Sequence, residues 1–142
     1  MKGKNITALL GALREQKEMK LKGGIYHKTQ IDLTYNSNHI EGSRLTHDQT
    51  RYIFDTNTIG VAADETLNVN DIVETVNHFR CIDLIIDKAE EPPSEELCKT
   101  LHGILKSGTS DSRKDCNGYL TDTCLSAQDQ YKDVLDYFRI KY

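Results

Sequence analysis

Residues 68–91 read NVNDIVETVNHFRCIDLIIDKAEE, and this stretch decides the fold class. Its apolar residues Ile72, Val76, Phe79, Ile82 and Ile86 recur at steps of three and four. That period gathers them on one face of an α-helix, whereas a strand would alternate at every second residue. Asn70 reads as the N-cap, because its short side chain can accept an orphan backbone N–H. Asp71 then falls in the first turn, where the helix dipole favours an anion. Pro92 and Pro93 read as the stop, since proline has no N–H to donate and its ring obstructs the preceding turn.

The flanking segments repeat the pattern. Ser94 reads as the cap of SEELCKTLHGILK, with a stripe of Leu97, Leu101, Ile104 and Leu105 and with Gly108 as the closing residue. Residues 122–142 carry a further stripe of Cys124, Ala127, Tyr131, Val134 and Phe138. Upstream, Thr46 and Gln49 have the spacing of a capping box and open a helix through THDQTRYIFDT. Before it, IYHKTQIDLTYNSNHI has Tyr26, Leu33 and Ile40 at seven-residue spacing, predicting an amphipathic helix that Gly42 closes. At the start, Ile6, Leu9, Leu10 and Leu13 have helical spacing. The basic tip there has one feature of a signal peptide, but Arg14 and Glu15 break the apolar patch, and an ordinary amphipathic helix is the better reading. The fold class is therefore all-α, a helical bundle in one domain spanning 1–142. Residues 107–121, SGTSDSRKDCNGYLT, have little apolar pattern and form a long connection of the kind that marks either a site or a junction.

Composition narrows the function classes. Eighteen Lys and Arg against 22 Asp and Glu give a net charge of −4, which argues against nucleic acid as a partner. A basic excess in residues 2–22 reads as a solvated helix face. No apolar run approaches the roughly 20 residues that span a bilayer, so no membrane partner is expected. Cys81, Cys98, Cys116 and Cys124 form no C-x-x-C pair and have no His at zinc spacing. They read as reduced thiols of a cytoplasmic protein, two or three of them in the core. His39, His78 and His102 fall on different helices and read as ordinary histidines, with no metal site expected. His47, beside Asp48 at a helix start, reads as solvent-facing. Arg113 and Lys114, among hydroxyls, lack the glycine pattern of a phosphate loop.

One short motif stands out: SNHIEG, Ser37 to Gly42. Its Glu41 lies at a helix C-terminus, where the dipole disfavours a carboxylate. By itself Glu41 reads as a solvated helix-end residue, and Ser37 reads equally as a helical serine or as the first position of a motif. The motif nevertheless resembles the inhibitory S/T-x-x-x-E-G/N motif of the Fic-domain family. SRLTHDQT, VNDIVETVNHFRCIDLII and SEELCKTLHGILKSGTSDSRKD resemble, in order, the segments that follow it in that family. GYLTDTCLSAQDQYKDVLDYFRIKY resembles the family's C-terminal helix. The likeness extends over nearly the whole chain.

The resemblance implies a Fic-like helical bundle with an inhibitory-helix region in 1–60, a partial core in 61–115 and a C-terminal helix in 119–142. Intact members transfer AMP from ATP, with magnesium, to hydroxyl side chains of target proteins. They use H-x-F-x-[D/E]-G-N-G-R-x-x-R, whose last Arg pairs with the inhibitory Glu. That motif is missing here: the one Asn-Gly pair, Asn117–Gly118, is preceded by Cys116 and followed by Tyr119. The chain reads as a Fic-like protein with its centre deleted. No catalytic, nucleotide-binding or metal residue is assigned and no cofactor is expected. Ser37, Glu41 and Gly42 remain as the inhibitory motif. The leading expectation is a non-catalytic remnant that binds a partner, either by inhibiting another Fic protein in trans or by self-association. The alternative is a protein adenylyltransferase like the intact members, and a degenerate chain without function stands behind both.

Overall fold

The computed structural model describes residues 2–110, with side chains from Thr7 onward. Five helices make up this region: α1 (Lys2–Met19), α2 (Ile25–Ile40), α3 (His47–Thr56), α4 (Val69–Asp87) and α5 (Glu95–Lys106). No strand occurs among the described residues, so the region is all-α. The expected helix over 122–142 and most of the long connection, with Cys116 and Cys124, lie outside it.

The helix starts follow local chemistry. Thr46 accepts from the Gln49 N–H while the Gln49 side chain accepts from the Thr46 N–H, a complete capping box. Ser94 accepts from the Leu97 N–H, with Glu95 and Glu96 in the first turn. At α4 the cap is Asn68 and not Asn70: Asn68 Oδ1 accepts the Asn70 N–H at 2.9 Å. Two Asx residues two apart compete for one role, and the chain leaves extended backbone at the first. The end of α4 also differs from expectation. It stops at Asp87 with Lys88 as cap, ahead of Pro92 and Pro93, which therefore bound the loop and not the helix.

α4 is the hub, because each of the other four helices packs on it, while α5 packs on α4 alone among the described helices. The expected α4 stripe faces the core, with Phe79, Ile82 and Ile86 buried and Ile72 and Val76 partly so. Ile82 and Ile86 join Tyr26 in one apolar cluster, with Leu10, Leu13 and Phe54 against it. Phe79 joins Leu45 and Ile53 in a second, flanked by Ile72 and Val76. Phe54 serves both clusters and meets Phe79 edge to face, with ring centroids 4.9 Å apart. Cys81 and Cys98 are buried and unpaired with each other. Burial pushes the Cys81 thiol up to about 11, as befits an inert core thiol that donates to the Leu101 carbonyl.

The α2 stripe does not hold as expected. Tyr26 is buried, but Leu33 is 46% and Ile40 82% exposed. The face turned to α4 runs in steps of four through Tyr26, Gln30, Thr34 and Asn38, and three of these are polar. Each has a partner on α4. Gln30 Nε2 lies 2.9 Å from Asp83 Oδ1 and 3.1 Å from the Phe79 carbonyl. Thr34 Oγ1 is 2.9 Å from His78 Nδ1. Asn38 Nδ2 donates to Thr75 Oγ1 at 3.1 Å. A buried polar group costs little when its hydrogen bond is made, and apart from the unpartnered Gln30 Oε1 this ladder meets that condition, holding α2 on α4 where an apolar stripe was expected.

Candidate functional site

The end of α2 carries the motif singled out in the sequence. The chain leaves the helix through a Schellman motif. The Ser43 N–H donates to the Asn38 carbonyl at 2.9 Å and the Gly42 N–H to the His39 carbonyl at 3.1 Å. The Glu41 N–H donates to the Ser37 carbonyl at 3.3 Å, so Glu41 is the C-cap. Gly42 has φ +96, a left-handed conformation that costs a residue with a Cβ. Gly42 is therefore the closing residue that the sequence predicts, and Ser37, Glu41 and Gly42 belong to one hydrogen-bonded turn.

The two sides of this turn differ. Asn38 faces inward, and its bond to Thr75 pins the last turn of α2 to α4. Ser37 is half-buried beside it. Ile40, Glu41 and Gly42 face solvent. Among the described residues no arginine or lysine pairs with Glu41. Arg14 is taken by Glu90 and Arg51 by Asp48. The carboxylate thus stands at the negative end of the helix with water as its surroundings, an arrangement that leaves both oxygens open to a bidentate donor.

The histidines are dispersed as expected. His39 is exposed and stacks on Tyr35, with centroids 5.5 Å apart, and His78 is held by Thr34. His47 is exposed but not free in solvent, since its Nε2 lies 2.7 Å from Asp32 Oδ1. No group of three or more His, Cys, Asp or Glu among the described residues is placed to hold a metal ion. None of the described helices is long and apolar enough to cross a membrane. Arg113, Lys114, Cys116 and the Asn117–Gly118 pair lie outside the described residues.

Sequence reading missed a concave region at the opposite end of α2. His27 and Asp55 form a close pair there, with Nε2 2.6 Å from Oδ1. Tyr26 donates its hydroxyl to Asp83 Oδ1 at 2.6 Å. Burial, and then the bond to Asp83, raise the Tyr26 phenol far above its ordinary range, so it stays a donor. Each pair joins residues from two helices, at sequence separations of 28 and 57, and no local pattern announces such contacts. No family model matches this sequence, and no curated protein matches it either.

Proposed function

We propose that this chain is a non-catalytic Fic-like protein that lends Glu41 to another Fic protein and suppresses its AMP-transfer activity in trans. The observation that carries the reading is the state of Glu41. It is exposed, fixed on a Schellman turn and without a basic partner among the described residues. In the family that the sequence resembles, the equivalent carboxylate engages an arginine of the catalytic motif, and this chain lacks that motif. An intact member would supply the arginine. The Schellman turn already orders the backbone at Glu41, so forming the fork freezes only the side-chain rotors.

The test is an AMP-transfer assay with an intact Fic protein, labelled ATP and magnesium. Addition of this chain should reduce label incorporation in a dose-dependent way. Glu41→Gly should remove the inhibition while circular dichroism still shows a folded chain, because Glu41 has no described side-chain partner to lose and the added glycine costs only about 0.5–1 kcal/mol. Equal inhibition by both forms would exclude Glu41 as the acting group. Label transferred by this chain alone, above a heat-killed control, would overturn the non-catalytic reading.

A further inference from the structure

The first turn of α2 opens on a cavity of about 510 Å³, the size of a small-molecule site. It lies about 22 Å of helix away from Glu41 and is independent of the role proposed for that residue. Its lining divides by charge and by depth. On the outside are Lys20 and Lys22, both exposed, and neither forms an ion pair with a described carboxylate. Lys17 also borders the cavity but is already paired with Asp87 at 2.8 Å. Deeper in the wall are the less exposed Asp55 and Asp83, with the ring of Phe54.

Both carboxylates are half used. Asp83 takes its two hydrogen bonds, from Tyr26 and Gln30, on Oδ1, and Asp55 meets His27 through Oδ1. Oδ2 of each has no hydrogen-bond partner among the described residues. Lys20 ends α1 in a Schellman turn, with φ +53 and with the Leu21 N–H on the Gln16 carbonyl, an ordinary helix stop. The cavity begins directly after that stop, so Lys20 and Lys22 border it from the α1–α2 connection.

We propose that this cavity binds a small zwitterion, a primary ammonium joined by a short chain to a phosphate. The ammonium is held by Asp55 and Asp83 in the wall that Phe54 also lines. The phosphate meets Lys20 and Lys22, two cations matched to a dianion. A plain anion is disfavoured by the two carboxylates and a plain cation by the lysines, so the charge pattern selects a molecule carrying both. Free aminoalkyl phosphates and the headgroup of an aminophospholipid share this chemistry.

Titration of O-phosphoethanolamine into the full 142-residue chain, followed by amide chemical shifts, tests it. Saturable shifts at the first turn of α2 are expected, with ethanolamine or inorganic phosphate binding weaker by about tenfold or more. The double variant Lys20→Ala, Lys22→Ala should weaken binding by about tenfold or more, and Asp55→Asn should do so separately. The lysine pair is exposed, so that variant keeps its fold and an unchanged melt verifies this. Flotation with phosphatidylethanolamine vesicles, lost in the lysine variant, would make the lipid headgroup the source. Soluble binding without flotation would make it the free compound. Equal affinity for phosphate alone, affinity unchanged in the lysine variant, or no saturable response to either soluble probe or vesicle overturns the proposal.

Discussion

Gln30 shows how much rests on single polar residues here. It is fully buried, its Nε2 faces Tyr26, Phe79 and Asp83, and its Oε1 has no partner. The reverse amide orientation would set its oxygen against a carbonyl and a carboxylate, so this one is electrostatically required. Gln30→Ala should lower stability by about 2–4 kcal/mol in urea denaturation, through the cavity and the lost donors together. His78 gives a pH signature. Desolvation lowers its pKa below the ordinary histidine value, so the folded chain holds it neutral. The unfolded chain binds the proton first, at about pH 6.5, and stability present above that value is lost as pH falls toward the folded pKa. Between about pH 7.5 and 5.5 wild type should therefore lose more stability than His78→Gln. Parallel pH profiles of the two forms would show that His78 does not titrate on unfolding.

At the scale of elements, the helix ends are set by chemistry that the sequence displays. Thr46→Ala removes the hydroxyl half of a capping box and should cost about 1 kcal/mol in denaturant melts. Gly42→Ala is a cleaner case. A Cβ there meets nothing within 4 Å, so any cost is backbone strain. It should be about 1–2 kcal/mol, with Gly42→Asn costing less because asparagine tolerates the left-handed region. These positions were legible because a cap acts within four residues. The face of α2 was not. At 3.6 residues per turn Leu33 and Ile40 lie about 20° and 40° to one side of Tyr26, while Gln30, Thr34 and Asn38 lie about 40°, 80° and 120° to the other, so the two rows diverge along α2. The four-residue row from Tyr26 to Asn38 is the one that meets it, and its polar character hid it from a reading based on apolar residues.

For the whole molecule, the exposed outer face of α2 is the main consequence. Ile25, Leu33 and Ile40 are 44%, 46% and 82% exposed, and Ile40 adjoins Glu41. Apolar residues gathered on one outer face tend to find another surface. We expect concentration-dependent self-association in analytical ultracentrifugation, shifted toward monomer by Leu33→Lys with Ile40→Lys. A strictly monomeric wild type at all concentrations would show that this face needs no partner. The same pair of substitutions should leave the melt nearly unchanged, because neither side chain belongs to a described core cluster.

The sequence by itself determined the all-α class of residues 2–110, the α4 core stripe from Ile72 to Ile86, the capping box at Thr46, the Ser94 cap and the Gly42 turn. Each depends on periodicity or on contacts within a few residues, and the chain carries that information locally. Only the tertiary structure decided that α4 is the hub, that α2 packs through Gln30, Thr34 and Asn38, and that Asp55 and Asp83 border one cavity with Lys20 and Lys22. A polar residue reads as surface until its partner is known. Here the partners lie 37 to 53 residues away, on a helix whose approach the local sequence does not encode.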